Sequence, residues 1–374
     1  MKKLCIDKTV FCVFILTISL AIFGCIMVYS ASCYVAETNL GNKFYYLTKQ
    51  IIGVILGTVA MVAFSFFDYK KLKKIKWWVV IISVLLLLLV FVPGIGIAKY
   101  GAKRWIGFGG FSIQPSEIAK FALVLFASAH FTDNYKNVKE FKALLPVIAI
   151  GLIFCLLVIL EPNMSITICI GVVMMLMLFV GGASAKHFSM LCLPAGAVLP
   201  ILIAIEPYRI KRLVAFLNPW ASPQGEGFQL IQSLYSLGSG GWFGVGLFNS
   251  RQKYMFLPFA ESDFIFSIIG EEFGFVGCVG VLACFFALIF MLVKISKNCP
   301  NRFGCLLSVG VAGVIAIQTL INVAVVSGAI PPTGLSLPFI SAGSTSILVF
   351  MSVIGVCLNI QKQSIKSRII EDNK

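Results

Sequence analysis

The sequence is poor in charged residues. Asp, Glu, Lys and Arg make up only 12% of its 374 residues, whereas 59% are hydrophobic. A soluble domain usually carries about 25% charged residues. A protein interior cannot hold so many apolar side chains, so the protein surface itself must be apolar. This composition excludes an ordinary soluble protein and indicates an integral membrane protein.

Histidine is scarce, and the cysteines lack the spacing of a metal site. The two histidines, His130 and His187, lie far apart in the chain, and the 12 cysteines include no C-x-x-C pair. Most of the cysteines fall inside apolar runs, where cysteine behaves as a small hydrophobe. We therefore predict neither a zinc site nor a disulfide scaffold.

The formal net charge of +15 raises the question of nucleic-acid binding. The basic residues do not form the continuous stripe that a nucleic-acid-binding face requires. They lie in short runs between apolar stretches, and alternate runs are much denser than the others. This pattern follows the positive-inside rule of membrane proteins, so we expect no nucleic-acid partner.

Ten apolar runs are long enough to be candidates for membrane-spanning helices, which need about twenty residues each. We therefore predict an all-α integral membrane protein of about ten transmembrane helices, in which residues 1–374 form a single polytopic domain. The first run has no clear cleavage site and is expected to be a retained helix. The runs are residues 9–30, 44–67, 77–97, 116–132, 143–160, 164–183, 187–206, 264–293, 303–327 and 336–360.

The loop charges predict that both termini are cytoplasmic, because this orientation puts dense basic runs such as 70–76 inside. One long outer loop, residues 207–263 approximately, then lies between helices seven and eight. Its aromatic and aliphatic content favours a packed segment at the membrane interface over a disordered one. The stretch 238–246 holds so many glycines that no regular helix is expected there.

Asp263 ends this loop where the eighth predicted helix begins. Two roles are open for its carboxylate. It can cap the helix N-terminus, or it can act as a general base on a hydroxyl group of a membrane-anchored substrate.

Two further groups of ionisable residues fall within predicted helices. Glu271 and Glu272 lie two turns below Asp263, where each is either a functional group or the partner of a buried cation. Glu117 and Lys120 are spaced for an ion pair after the helix-start sequence 114–116. Of the basic residues, Lys120 is the one most deeply embedded in an apolar run. A buried lysine needs a partner, and a substrate diphosphate or Asp263 is an alternative to Glu117.

Several basic residues on the predicted outer side could form a basin for a phosphorylated substrate, since arginine binds phosphate with two parallel hydrogen bonds. An anchor at the membrane interface is the alternative for those beside Trp105. The residues are Lys103, Arg104, Arg209, Lys211, Arg212, Arg251 and Lys253.

Taken together, these segments resemble the SEDS family (shape, elongation, division and sporulation; FtsW/RodA/SpoVE-like). The similarity covers nearly the whole chain. Its most specific motifs are residues 28–32 (VYSAS), 103–106 (KRWI), 114–117 (QPSE), 216–220 (FLNPW), 238–241 (GSGG), 250–253 (SRQK), 263–266 (DFIF) and 270–272 (GEE).

The resemblance implies an enzyme of cell-wall synthesis in the cytoplasmic membrane of a bacterium. It implies a peptidoglycan glycosyltransferase that polymerises lipid II, an undecaprenyl-diphosphate-linked disaccharide pentapeptide, on the outer face for division or sporulation. The family's essential carboxylate falls on Asp263, the expected general base, and the lysine of its fourth helix falls on Lys120. A divalent cation such as Mg²⁺ is a plausible cofactor, and a class B penicillin-binding protein, a transpeptidase, is the expected partner.

Three stretches depart from the family pattern. The family reads L-P-E-A-H-T-D where this chain has 257–263 (LPFAESD), so one carboxylate is lost at Phe259 and another appears at Glu261. The family's Q-P-D is 161–163 (EPN), and its I-S-Y-G-G-S-S is 340–346 (ISAGSTS). The opening VYSAS and the SRQK run are closer to the division and sporulation branch than to the elongation branch.

Two other functions compete with the enzyme. A lipid II flippase requires a polar path through the helices to the inner face, and the inner halves of the predicted helices are nearly apolar. A non-catalytic scaffold that recruits a transpeptidase is compatible with the changes around Asp263. It predicts that replacing Asp263 leaves function intact.

Overall fold

A computed structural model describes residues 7–99, 102–108, 111–205 and 207–372. Thirteen α-helices occur within these residues. They are α1 (Lys8–Leu40), α2 (Tyr45–Phe66), α3 (Lys70–Lys74), α4 (Lys76–Leu89), α5 (Pro115–Asp133), α6 (Phe141–Leu160), α7 (Met164–Gly181), α8 (Ala185–Ile205), α9 (Pro207–Leu217), α10 (Phe228–Gly240), α11 (Ile265–Asn298), α12 (Arg302–Val326) and α13 (Ser344–Asp372). A short 3-10 helix, Pro219–Ala221, separates α9 from α10.

The chain is a mostly helical, multi-pass membrane protein, as the sequence predicts. Each of the ten predicted runs overlaps one helix, namely α1, α2, α4 to α8 and α11 to α13. The helix α4 ends at Leu89, before the predicted end at residue 97, and α13 begins at Ser344, after the predicted start at residue 336. Within the described residues, seven helices are both long and apolar enough to cross a membrane: α1, α2, α6, α7, α11, α12 and α13. The count of ten crossings therefore stays a prediction, as do the orientation and the single-domain organisation.

A small sheet between α4 and α5 was not predicted. It consists of β1 (Gly96–Lys99), β2 (Ala102–Phe108) and β3 (Phe111–Ile113) in antiparallel order. Ile106 pairs with Gly96 on one side and with Ile113 on the other, and it is buried. The strands are too short for a clear period-two pattern in the sequence. The sheet fixes the direction of Arg104, the residue before Trp105 on the central strand.

Glycine allows α2 and α13 to pack backbone against backbone. A Cβ atom at Gly53 would lie 2.8 Å from the Cα of Ser344, and one at Gly355 would lie 2.3 Å from the carbonyl oxygen of Met61. Close approach at small residues is the usual means of helix association in membranes, where apolar surface is no driving force. This packing holds the start of α13 beside the first half of α2.

The long segment between α8 and α11 folds back onto α11. Helix α10 extends to Gly240, so the expectation of no helix is wrong for the first residues of 238–246 and holds after them. Residues 241–246 lie against a break in α11 at Gly274, where φ is 66°. The N–H groups of Val245 and Gly246 donate to the carbonyls of Glu271 and Glu272 at 2.9 and 3.1 Å.

A candidate active site at one end of the helix bundle

One cavity, of about 1090 Å³, is lined by residues from five separate parts of the chain. Tyr45 comes from the start of α2, Arg104 from the sheet, Asn163 from the turn between α6 and α7, Asp263 from the long loop, and Thr333 from the segment between α12 and α13. Five segments that are separate in sequence therefore meet at the same end of the bundle. We treat this cavity as the candidate active site.

Asp263 is held in the cavity wall by hydrogen bonds to its backbone carbonyl and to its side-chain carboxylate. The Asn322 side-chain amide donates to the Asp263 carbonyl oxygen at 2.8 Å, and the Ser262 hydroxyl donates to Oδ1 at 2.9 Å. Oδ2 lies near Gly334, since a Cβ atom on that glycine would be 3.1 Å away. The N-cap of α11 is Phe264, without a side-chain cap, so Asp263 does not cap this helix.

Burial and the neighbouring polar groups have opposite effects on the pKa of the Asp263 carboxyl. Burial raises the pKa of the Asp263 carboxyl above its usual value, while the Ser262 hydrogen bond and the positive charges of Arg104 and Arg212 lower it. Of these effects burial is the largest. A carboxylate in this setting binds a proton more readily than an exposed aspartate does, which suits a general base.

Arg104 and Arg212 reach the cavity from different elements. Arg104 Nε donates to the carbonyl oxygen of Glu161 at 3.3 Å, and its Nη2 donates to that of Pro162. Arg212, on α9, donates from Nη1 to the carbonyl oxygen of Pro332 at 3.3 Å. Both side chains line the cavity, and guanidinium groups are well suited to binding an anionic substrate.

Glu161 is a buried carboxyl behind Arg104. Its residue is 1% exposed, and within the described residues neither carboxyl oxygen has a hydrogen-bond partner. Burial raises the pKa of Glu161 to about 8, against the opposing charge of Arg104. The carboxyl is thus largely protonated at neutral pH. This is one of the positions at which the sequence departs from the family pattern.

Glu117 and Lys120 form the ion pair that their spacing predicts, with Nζ 2.9 Å from Oε1. Lys120 is fully buried, and its ammonium also donates to the side-chain oxygen of Gln318. The Ser346 hydroxyl donates to the second Glu117 oxygen at 3.2 Å. Glu117 lines the cavity and Lys120 does not, so Lys120 affects the cavity through Glu117.

Lys253 is buried away from the cavity, in a polar cluster that we call the anchor network. Its ammonium donates to Glu272 Oε1 at 3.3 Å, to the Ser30 hydroxyl of α1 at 3.4 Å and to the Phe248 carbonyl. Because these groups bind the ammonium, we infer that Lys253 stabilises the segment between α10 and α11 and does not bind substrate in the cavity.

Glu271 completes the anchor network. It accepts hydrogen bonds from the hydroxyls of Ser236 and Ser250 and from the backbone N–H groups of Arg251 and Gln252. The sequence left Glu271 and Glu272 as functional or structural residues. In the structure Glu272 pairs with the buried ammonium of Lys253, and Glu271 binds the segment between α10 and α11 to α11 itself.

The remaining candidates are less central. The side chains of Lys103 and Arg251 are exposed and do not line the cavity. The side chain of Arg209 lies outside the described residues. Several buried amides were not predicted. One of them, Gln50, donates to the Ile340 and Ser341 carbonyls at 3.3 and 3.1 Å. Amides inside apolar helices, such as Gln318 and Asn322 one turn apart, are the signal that could have found them.

Comparison with known proteins gives a consistent result. A family model for FtsW, RodA and SpoVE, described as cell cycle protein, matches residues 10–366. The stage V sporulation protein E of Bacillus subtilis is 39% identical over 354 residues, which cover 94% of this chain and 96% of that protein. A probable peptidoglycan glycosyltransferase FtsW of Geobacter metallireducens is 37% identical over 349 residues, 93% of either chain.

A solved structure shares the fold. It concerns the structural coordination of polymerization and crosslinking by a peptidoglycan synthase complex, and one of its chains superposes with a TM-score of 0.78 at 26% identity. The match covers 94% of this chain and 97% of that one. The family model spans far more than half of the sequence, and both relatives match over almost their full length. The chain therefore belongs to the FtsW/RodA/SpoVE family of cell cycle proteins.

Proposed function

We propose that this protein is a peptidoglycan glycosyltransferase that polymerises lipid II at the outer face of the bacterial cytoplasmic membrane. The observation that carries the proposal is the placement of Asp263 and two arginines in the lining of one cavity at one end of an apolar helix bundle. The names of its relatives, among them a probable peptidoglycan glycosyltransferase, support the same activity.

In the proposed reaction Asp263 is the general base. Its carboxylate takes the proton of the acceptor sugar hydroxyl while the hydroxyl oxygen forms a bond to the anomeric carbon of the donor sugar. The bond between that carbon and the diphosphate breaks, and the diphosphate leaves with the electron pair. Arg104 and Arg212 neutralise the negative charge on the leaving group, a role for which arginine is suited in a dehydrated site.

A divalent cation stays a proposal. Within the described residues no cluster of three histidine, cysteine or carboxylate side chains could hold a metal. Mg²⁺ often binds to one or two carboxylates together with substrate phosphates, and the cavity carboxyls Asp263 and Glu261 fit that mode. When bound, the ion would neutralise charge on the diphosphate. Loss of activity on chelation and its return with Mg²⁺ would support this.

A class B penicillin-binding protein, the transpeptidase that crosslinks the new strands, is the proposed partner. The solved complex of similar fold is described as coordinating polymerization and crosslinking. Copurification of this chain with the class B transpeptidases of its own cell is the direct test.

The other two functions are less well supported. A flippase needs a polar route to the inner face, whereas the residues that line this cavity belong to the predicted outer segments and the adjoining helix ends. A scaffold gives no reason for a carboxylate and two arginines to meet in one cavity.

The experiment is glycan-strand synthesis from purified lipid II, with the transpeptidase partner present. We expect polymer from the wild type, none from Asp263→Asn, and normal polymer from Glu226→Gln, which removes an exposed carboxylate of the same outer segment. Polymer from Asp263→Asn would remove Asp263 as the base and keep the enzyme. No polymer from a folded, partner-bound wild type would favour the scaffold.

A further inference from the structure

A third cation lines the cavity, and the proposed reaction does not yet use it. Lys49 lies near the start of α2, and its partly buried side chain reaches the cavity together with Tyr45. The other described basic residues of the lining, Arg104 and Arg212, come from the sheet and from α9, and their charges act on Asp263. Positive charge therefore lies on the α2 side of the cavity as well as around the proposed base.

The ammonium group of Lys49 is oriented but not neutralised. Its Nζ donates to the Tyr45 hydroxyl at 2.6 Å and lies 4.2 Å from the centroid of the Tyr45 ring. None of the ion pairs in the described part of the chain includes Lys49. An ammonium group has three hydrogen-bond donors, so two of them remain for an anionic ligand in the cavity.

The backbone beside Lys49 is connected to the loop that carries the base. Gln50, the next residue, donates to the Ser341 carbonyl at 3.1 Å. The Ser341 hydroxyl in turn donates to the Ser262 carbonyl at 2.6 Å, one residue before Asp263. Lys49 therefore has a defined position relative to the carboxylate that is to receive the proton.

The proposed reaction brings two diphosphates into this cavity. The donor's diphosphate leaves, and Arg104 and Arg212 neutralise its charge. The acceptor is also a lipid-linked sugar, and its own diphosphate stays attached throughout. Two anions in one site of low dielectric constant repel each other strongly, so the second diphosphate needs a cation apart from the two arginines.

We propose that Lys49 binds the diphosphate of the acceptor substrate and that Tyr45 orients the ammonium group for this contact. The inference rests on the proposed function. No bond to the acceptor's diphosphate forms or breaks, and the contact positions the acceptor hydroxyl for Asp263. The alternative is that Lys49 is an anchor at the membrane interface, as lysines at helix ends often are. Diphosphate binding would then not depend on it.

The test counts bound lipids without turnover. Native mass spectrometry of Asp263→Asn records how many molecules of undecaprenyl diphosphate bind to one chain, and we expect two. Adding Lys49→Met should weaken the second binding event about tenfold or more and leave the first unchanged, whereas Lys49→Arg should retain both. Lys43→Met is the matched control, because Lys43 is exposed just before α2 and does not line the cavity. Binding of undecaprenol, which has no phosphate, should not respond to Lys49→Met.

Polymerisation with Asp263 intact gives a second readout. Lys49→Met should raise KM for lipid II about tenfold and change kcat much less, because the contact is the same before and during the reaction. Thermal unfolding shows whether each variant is folded. If Lys49→Met does not fold, Tyr45→Phe gives the same test with a smaller expected loss, since it removes the orienting hydroxyl and keeps the ring.

The outcomes separate this inference from the proposed function. An inactive wild type that still binds a second diphosphate through Lys49 refutes the proposed function and keeps the binding site. Unchanged binding in Lys49→Met, or an equal loss in Lys43→Met, overturns the inference alone. If Lys49→Met weakens the binding of lipid II but not of undecaprenyl diphosphate, Lys49 binds a carboxylate of the pentapeptide and the inference is wrong.

Discussion

Replacement of Lys120 by methionine tests whether the buried ion pair below the cavity is structural, functional or both. Methionine matches the length and apolar stem of lysine but removes the ammonium group. Glu117, 2% exposed, would then lose its cation and keep the Ser346 hydroxyl as a donor. Gln318 would lose its contact with the ammonium.

The expected loss of stability follows from the burial of the pair. Breaking a buried salt bridge by removing one partner costs about 3–5 kcal/mol, because the other charge is left without compensation. The remaining hydrogen bond from Ser346 to Glu117 puts the expected value near the lower end, about 3 kcal/mol. In the double variant Lys120→Met with Glu117→Gln no charge is left buried, so we expect it to regain more than half of this loss.

The assay is denaturant-induced unfolding in mixed micelles, with lipid II polymerisation measured on the same samples. Lys103→Met, which changes an exposed lysine, is the control and is expected to alter the free energy of unfolding by less than about 0.5 kcal/mol. If the double variant is as unstable as the sum of the two single variants, the pair does not act as a unit and the reasoning fails. Recovery of stability without recovery of activity would give the pair a functional role besides its structural one.

Two further predictions concern the cavity wall at Gly334 and the buried carboxyl of Glu161 behind Arg104. Gly334→Ala should lower kcat about tenfold or more, because its Cβ would lie 3.1 Å from Asp263 Oδ2. Gly94→Ala, at a similar positive φ with no neighbour within 4 Å, should share the backbone strain and keep kcat. In the second prediction, the wild type loses stability as pH rises from about 4.5 to 8, since the folded state holds the Glu161 proton over that range. Glu161→Gln lacks this loss, so its melting temperature should exceed that of the wild type more at pH 9 than at pH 5, and equal differences would contradict the buried carboxyl.

The helices were predictable because apolar runs of membrane length occur in few other structures. Residues 141–160 and 302–326 are helical within two residues of the predicted ends. The break in α11 at Gly274 was not predictable, because it depends on residues 241–246, which come from elsewhere in the chain. The sheet was missed for a similar reason, since strands of three to seven residues are stabilised by their pairing and not by a local pattern.

The sequence predicted which residue types form the site better than it predicted which of those residues lie together. Asp263, Arg104 and Arg212 were identified together, and the structure brings them to one cavity. Lys253 was placed with them because it lies near Asp263 in sequence and carries the same charge as the arginines. Only the tertiary packing decides that its ammonium faces Glu272. Sequence proximity to a site does not show which way a side chain points.

The position of Asp263 depends on groups within the helix bundle as well as at its surface. Upstream of Asp263, the anchor network binds the segment between α10 and α11 to the helices α1 and α11 through Lys253, Glu271 and Glu272. At the residue itself, Asn322 of α12 holds the backbone carbonyl of Asp263. Catalytic groups are effective only when held close to the productive geometry. Polar residues buried in these helices therefore support the position of Asp263 although they do not line the cavity, which gives a reason for such costly groups in an apolar helix bundle.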